Sequence, residues 1–167
     1  MSEILIRPAR RDDLPALVAI YNHYVVNGHA NFTTEPQTVE SRSAWFDGYT
    51  GGPHRLLVAE HGGTVLGYAG SGRYRPSPAF DHTVETTVYL HPGARGRGAG
   101  SQLYAALLEA LAGEPVHLAV AGVALPNAAS LALHRRLGFR EVGTFEEYAC
   151  KRGAWISSTW LQKPLNR

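Results

Sequence analysis

The segment from Val84 to Leu111 constrains the fold most, because the period of its hydrophobic pattern changes partway along it. Up to position 90, aliphatic and threonine residues alternate with polar or aromatic ones, and this period of two predicts a strand. Pro92 and Gly93 end the strand. From Ser101 onward, leucine and alanine recur at helical spacing. The segment is therefore predicted to form a strand, a turn and a helix.

The turn between the two elements is rich in glycine and reads Arg95-Gly96-Arg97-Gly98-Ala99-Gly100. Small residues let a ligand approach the backbone, and the free N–H groups and dipole of a helix start favour an anion. A dinucleotide fingerprint needs glycine at its first, third and sixth places, and from Gly96 the sixth place is Ser101. A P-loop needs Gly-Lys-Ser/Thr, and Ala99 follows Gly98. Two common nucleotide motifs are therefore excluded.

Composition excludes several further classes of protein. The chain has 167 residues, 44% hydrophobic content and a net charge of +2, which suit one globular domain over residues 1–167 and are too weakly basic to indicate nucleic acid. Cys150 is the single cysteine, so neither an intrachain disulfide nor a cysteine-rich metal site is possible. The histidines lack metal-ligand spacing. No run approaches the length of a membrane span, so we expect a cytoplasmic protein that binds neither metal nor membrane.

The remaining patterns predict the order β-α-α-β-β-β-α-β-α-β-β. Helices are predicted to follow Asp13, to run from Val39 to Asp47, to follow Gly100 and to begin at Asn127. Two terminal strands are predicted around a turn at Gly153. The fold class is therefore α/β (α+β), with a mixed sheet of about seven strands flanked by about four helices.

The turn also fits the pattern Arg/Gln-x-x-Gly-x-Gly/Ala after a strand, with Arg95, Gly98 and Gly100 at its defined places. This pattern resembles the acetyl-CoA-binding motif of the GCN5-related N-acetyltransferase (GNAT) superfamily, whose element order matches essentially the whole chain. The resemblance implies the GNAT fold and acetyl-CoA as co-substrate. It also implies that the loop holds the pyrophosphate and that the strand backbone pairs with pantetheine. The residues concerned are Val88, Tyr89, Leu90, Arg95, Gly96, Arg97, Gly98, Ala99, Gly100 and Ser101.

Two further stretches resemble one branch of that superfamily. Thr83-Val84-Glu85-x-x-Val88-Tyr89 and the Asn-Phe-x-Thr-Glu-Pro run that contains Phe32 are similar to the phosphinothricin and methionine sulfone acetyltransferases. The resemblance implies that Glu85 is the general base that deprotonates the acceptor amine, directly or through a water. A carboxylate flanked by apolar residues would have a raised pKa, which suits a base, but it could instead pair with an arginine. Phe32 could border the acceptor site or cap the core.

The helix that begins at Asn127 places Asn127, Ser130 and His134 on one face, because they are spaced by three and four. The resemblance implies that Asn127 and Ser130 contact coenzyme A and that His134 stands near the leaving thiolate. His134 could donate a proton there, since imidazole titrates near neutrality. It could also be a surface histidine, and Asn127 could be a simple helix cap.

The acceptor side is expected around the proline-rich loop that follows residue 72. Arg73 and Arg75 would face the same side of an extended segment and could bind an anionic group of the acceptor, or they could be a solvated pair. The resemblance favours Arg75. The other residues predicted to line this pocket are Pro76, Ser77, Thr86 and Thr87.

Together these patterns predict an N-acetyltransferase that transfers an acetyl group directly, in a ternary complex, to the amine of a small amino acid or analogue. Phosphinothricin, methionine sulfoximine and methionine sulfone are the candidate acceptors, and a homodimer is implied by the resemblance. An enzyme of the same fold with an aminoglycoside, polyamine or protein N-terminus as acceptor stays open. So does a module that senses acyl-CoA without catalysis, and the sequence does not decide whether resistance to an inhibitor is the role.

Overall fold

The sheet has seven strands in the order β1-β2-β3-β4-β5-β7-β6 in a computed structural model that describes residues 3–166. The strands are β1 Leu5–Pro8, β2 Leu56–His61, β3 Thr64–Arg73, β4 Thr83–Leu90, β5 Leu118–Ala124, β6 Arg140–Lys151 and β7 Ala154–Pro164. The helices are α1 Leu14–Asn27, α2 Val39–Asp47, α3 Ala99–Leu111 and α4 Ala128–Arg136. The predicted fold class and the predicted strand and helix numbers are confirmed. Every neighbouring pair of strands is antiparallel except β4 and β5, which are parallel.

Two hydrophobic clusters lie on opposite faces of the sheet. On one face, α3 buries Leu103 and Leu107 against the strands. On the other face, α1 and α2 cover a cluster that is rich in aromatic side chains and includes Tyr68 and Trp45. Strand β4 contributes to both, because side chains alternate across a strand: Val88 packs on the α3 face and Tyr89 on the face of α1 and α2. The two faces of β4 therefore lead into different parts of the molecule.

Strands β4 and β5 pair only over their first residues. The parallel ladder joins Thr83–Glu85 to Leu118–Val120 and then ends. Strand β5 continues along β7 to Ala124, whereas β4 continues along β3 to Leu90. The two strands thus diverge in the middle of the sheet, and within the described chain the peptide groups of 86–90 that point toward β5 have no ladder partner there.

Glycines in β3 allow close approach, as the sequence predicts. A Cβ on Gly67 would lie 2.6 Å from the Tyr89 carbonyl oxygen, and one on Gly70 would lie 2.8 Å from the Tyr49 hydroxyl. Side chains therefore cannot be added here without moving β4 or Tyr49. Across residues 3–166 no helix has the length and apolarity to cross a membrane, and no cluster of three His, Cys, Asp or Glu could hold a metal ion.

Candidate active site

The divergence of β4 and β5 opens into a cleft of about 790 Å³. Its wall includes the second half of β4, the start of α3, α4 and the end of α1. Most residues predicted to contact coenzyme A line it: Val88, Tyr89, Leu90, Arg95, Gly96, Gly98, Gly100, Ser101, Asn127, Ser130 and His134. Two do not. Arg97 is exposed outside the lining, and Ala99 is fully buried in the core beneath the loop, so only its backbone could serve a ligand.

The start of α3 has the geometry of an anion site. Gly96 and Gly98 have φ values of +77° and +80°, a left-handed conformation that glycine adopts without steric cost. Gly98 is the N-cap of α3 and provides no side-chain cap, so the first N–H groups of the helix lack the usual side-chain acceptor. These donors and the helix dipole suit a pyrophosphate.

Tyr24 of α1 links the loop to β4, a role that the sequence analysis missed. Its hydroxyl donates to the carbonyl oxygen of Leu90 at 2.6 Å and accepts a hydrogen bond from Nη2 of Arg95 at 3.0 Å. The Arg95 guanidinium also lies 5.4 Å from the centre of the Tyr24 ring. One tyrosine therefore fixes both the end of β4 and the first residue of the motif. Its place on the apolar stripe of α1 was the available signal.

Helix α4 supplies the opposite wall. Asn127 caps the helix, since its Oδ1 accepts from the Ser130 N–H at 3.1 Å, and both residues line the cleft. Arg136, which the sequence analysis did not single out, also lines the cleft and reaches the Ser101 hydroxyl at 3.5 Å. The basic last turn of α4 was a signal for it, because an arginine at the mouth of an anion site can pair with phosphate.

His134 is buried and its geometry does not favour the predicted proton donor. Its Nδ1 donates to the Ser130 carbonyl oxygen at 2.7 Å, because a carbonyl oxygen can only accept. The ring packs edge to face against Tyr104 and Phe139. Burial lowers the pKa of His134, which keeps the ring neutral at neutral pH with its lone pair on Nε2. A neutral imidazole in this tautomer offers an acceptor at Nε2.

Glu85 lies on the other face of β4, with the alternation that places Thr87 and Tyr89 beside it. Burial raises the pKa of the Glu85 carboxyl, and the nearby Arg75 guanidinium opposes that rise. Across the ladder, Glu85 faces Gly72 and Thr87 faces Gly70. The absence of side chains at these two glycines leaves room for the Tyr49 hydroxyl, which contacts this face. Burial raises the pKa of Tyr49 to about 12, and the charge on Glu85 adds to that rise.

The two arginines predicted to bind the acceptor, Arg73 and Arg75, have different surroundings in the loop after β3. Arg73 donates to the carbonyl oxygens of Arg75 and Pro76 at 3.3 and 3.1 Å and pairs with Asp81 at 3.2 Å. Ser77 accepts from the Ala79 N–H and caps the short helical turn that follows. Arg73, Pro76 and Ser77 are thus engaged in holding the loop together. Arg75 is exposed and lies close enough to act on the Glu85 carboxylate.

The structure describes the surroundings of two further predicted acceptor residues, Thr86 and Phe32. Thr86 points to the opposite face from Thr87, where it is buried and its hydroxyl lies 2.5 Å from the Tyr104 hydroxyl. Both threonines border the cleft, but consecutive strand residues face opposite ways, so their side chains do not line the same wall of an acceptor pocket, contrary to the prediction from the sequence. Phe32 is 42% exposed and packs edge to face on Tyr148 of β6. It therefore does not cap the core.

Comparison with known proteins agrees with this geometry. Residues 17–139 match the family model described as "Acetyltransferase (GNAT) family". A phosphinothricin N-acetyltransferase of Streptomyces coelicolor is 48% identical over 167 residues, 98% of each chain. An L-methionine sulfoximine/L-methionine sulfone acetyltransferase of Pseudomonas aeruginosa is 41% identical over 96% of this chain and 94% of that protein. A phosphinothricin acetyltransferase from Sinorhizobium meliloti, solved in complex with acetyl-CoA, superposes with a TM-score of 0.93 at 31% identity, covering 99% of this chain and 90% of that one.

A diverging strand pair beside an uncapped helix start can hold an acyl thioester of coenzyme A, and the chain belongs to the GNAT acetyltransferase family. It is an N-acetyltransferase that uses acetyl-CoA. The residues fit this co-substrate. The unpaired peptide groups on β4 can pair with its pantetheine arm, and the free N–H groups at the start of α3, next to Gly98, can bind its pyrophosphate.

Proposed function

We propose that this enzyme acetylates the amino group of a small amino acid or amino acid analogue, with phosphinothricin, methionine sulfoximine and methionine sulfone as candidate acceptors. Relatives that are similar to this chain over nearly their full lengths are named as acetyltransferases of these compounds. The observation that carries the proposal is the combination of Glu85, a carboxyl whose pKa is raised by burial, with the charge of the Arg75 guanidinium, which acts on that carboxyl and opposes the rise. Glu85 can act as a base for the amine of the acceptor, and Arg75 can bind an acidic group of the same molecule. An amino acid has both kinds of group.

The proposed mechanism assigns one task to a side chain of β4 and another to its backbone. Glu85 takes a proton from the acceptor ammonium, directly or through a water, because only the neutral amine is nucleophilic. The amine nitrogen bonds to the acetyl carbon, and the carbon–sulfur bond breaks. Backbone N–H groups of β4 near Val88, unpaired toward β5, stabilise the negative charge on the carbonyl oxygen. The electron pair leaves with sulfur as the coenzyme A thiolate, and the nitrogen releases its second proton to solvent as the amide forms.

The proposal is tested by thiol release from acetyl-CoA across a panel of acceptors. We expect turnover with methionine sulfone, methionine sulfoximine or phosphinothricin, and little with spermidine, an aminoglycoside or an alanine-initiated peptide. Preference for one of the last three would overturn the acceptor assignment and leave the acetyltransferase activity intact. Tight acetyl-CoA binding without thiol release on any acceptor would indicate a sensor.

We also propose that the enzyme is a homodimer that buries the outer surface of the β6–β7 hairpin. Strand β6 lies at the edge of the sheet and is exposed along almost its whole length. Phe145 and Tyr148 stack on it at 5.3 Å, and the adjacent Trp155 is 65% exposed. An apolar patch of this kind usually marks an interface. Light scattering should give twice the chain mass, and Phe145→Glu should give the monomer.

Because every strand joins one sheet, we infer that residues 1–167 act as one catalytic domain. Because acetyl-CoA is an intracellular metabolite, we propose that the enzyme works in the cytoplasm. Resistance to an inhibitory amino acid analogue would follow from the proposed acceptor range. Expression in a sensitive host exposed to phosphinothricin tests this, with Glu85→Gln as the control.

A further inference from the structure

Arg42 of α2 is a cation without a polar partner. Its guanidinium carbon lies 4.1 Å from the centre of the Tyr21 ring and 3.9 Å from that of Trp45, so two aromatic faces enclose it. No hydrogen bond or ion pair joins its side chain to any described residue, and its Nε is fully buried without an acceptor. The residue as a whole stays partly exposed.

Such an environment is unusual for arginine. The guanidinium carries five N–H donors in a fixed plane, and a buried donor without an acceptor destabilises the structure. The two rings hold the plane in place but accept no conventional hydrogen bond from its edge. A fixed orientation and free donors along the edge are the features of a group that is preorganised for a ligand.

The position of Arg42 points to the acceptor. The two rings that hold Arg42 reach the sheet, because Trp45 packs on Tyr68 at 5.8 Å and Tyr21 packs on Tyr89 at 5.7 Å. Tyr68 and Tyr89 pair across β3 and β4 on the face that also carries Glu85. Trp45 also packs on Tyr49 at 5.3 Å, and a Cβ on Gly72, which pairs with Glu85, would lie 3.6 Å from the Tyr49 hydroxyl. The Tyr68 hydroxyl is also buried without a partner. Two unpartnered donors therefore lie on the side of the sheet that carries the proposed base.

An anion of the right size for this position is a carboxylate, because a planar guanidinium pairs with it through two parallel hydrogen bonds. An amino acid has its carboxylate on the carbon that carries the amine, so the carboxylate must lie close to the base. Arg42 is partly buried and held between two rings, whereas Arg75 is exposed. The fixed, more buried arginine suits the group that all amino acids share, and the exposed one suits the variable side chain.

We propose that Arg42 is a specificity-determining residue that binds the α-carboxylate of the acceptor, with the Tyr68 hydroxyl as a second donor. This inference rests on the proposed amino acid acceptor. The competing role is purely structural, in which Arg42 only joins α1 to α2. The two roles differ in whether the loss of kcat/KM in an Arg42 variant depends on the carboxylate of the acceptor.

The test compares methionine sulfone with 3-(methylsulfonyl)propylamine, the same molecule without its carboxylate. For Arg42→Gln we expect kcat/KM to fall about 10- to 100-fold with methionine sulfone, mainly through KM, because a charge-assisted hydrogen-bond pair is lost. With the amine the change should stay within about threefold, since no carboxylate was bound. Arg42→Lys should lie between, because it keeps the charge and loses the planar fork.

Arg11→Gln is the matched control. Arg11 also contacts α2, through Asp47 and the Phe46 ring, but at an exposed position. It should change neither acceptor's kinetics. Equal losses with both acceptors, or no loss with either, would overturn the role of Arg42 while wild-type turnover of methionine sulfone upholds the proposed function. If the wild type acetylates no amino acid, the proposed function fails, and this inference fails with it.

Discussion

The co-substrate site and the acceptor site along β4 are built in different ways. On the cleft side, the functional groups belong mostly to the backbone: peptide groups at the edge of β4 left unpaired by the divergence from β5, and N–H groups at the uncapped start of α3. On the acceptor side, they are side chains from separate segments, among them Arg42, Arg75 and Glu85. A site formed by the backbone suits acetyl-CoA, the co-substrate that the reactions of the family share. A site formed by side chains from separate segments can change its acceptor specificity by single substitutions.

The largest expected effect lies on the acceptor side. Glu85→Gln should lower kcat about 10²- to 10⁴-fold, the usual contribution of a positioned base, and leave the Kd of acetyl-CoA within about twofold of its wild-type value. Steady-state kinetics with methionine sulfone and calorimetry with acetyl-CoA measure the two. Thr87→Val, which changes the neighbour on the same face, is the control and should lower kcat far less.

The same variant has an expected pH signature. Because burial raises the pKa of Glu85, the acid limb of the wild-type kcat/KM profile should fall above the usual range of a glutamate, and Glu85→Gln should abolish that limb. The raised pKa also means that this carboxyl favours the folded state at low pH and loses that contribution as pH rises through its folded-state pKa. Glu85→Gln should therefore melt no lower than the wild type at neutral pH. An unchanged acid limb would remove the base from the mechanism.

A weaker effect, and one confined to acetyl-CoA, is expected on the cleft side. Gly98→Val would force a β-branched residue to a φ of +80° at the N-cap of α3, at a cost of about 1–3 kcal/mol or a shift of the loop. The Kd of acetyl-CoA should rise about tenfold or more. Gly63→Val in the β2–β3 turn has a φ of +81° and no atom within 4 Å. It should cost similar stability without weakening acetyl-CoA binding, and equal losses of binding would contradict a specific role for Gly98.

The difference between the co-substrate site and the acceptor site also explains what could be predicted from the sequence. The motif from Arg95 to Ser101 and the helix that follows are local, so pattern and spacing predicted them and the cofactor. The acceptor side depends on contacts between distant segments. Thr86 and Thr87 were assigned to one pocket, although strand alternation places them on opposite faces. Arg42 was missed, even though its spacing of three and four from Trp45 and Phe46 places it on the inner face of α2.

His134 gives a smaller expected effect that separates structure from chemistry. Its Nδ1 is committed to the Ser130 carbonyl and its ring packs between Tyr104 and Phe139. His134→Asn should therefore lower the melting temperature, since a buried ring is lost. It should lower kcat by less than about tenfold, which is smaller than the usual rate contribution of a positioned general acid. Thermal melting and kinetics measured on one preparation check this. A loss of kcat of a hundredfold or more with unchanged melting would restore His134 as the proton donor to the thiolate.

Tyr24→Phe should have the smallest effect, and it tests whether the cleft depends on side chains at all. The change removes one hydroxyl that donates to Leu90 and accepts from Arg95, and it keeps the ring that packs in the core. Of the two hydrogen bonds lost, only the one from Arg95 fixes a residue of the motif. One hydrogen bond contributes about 0.5–1.5 kcal/mol, so the KM for acetyl-CoA should rise about two- to tenfold with kcat nearly unchanged. If Tyr24 acts by fixing Arg95, then Tyr24→Phe and Arg95→Gln should be non-additive in a double-mutant cycle. Full additivity would mean that Tyr24 positions only the end of β4, and that the backbone alone forms the cleft.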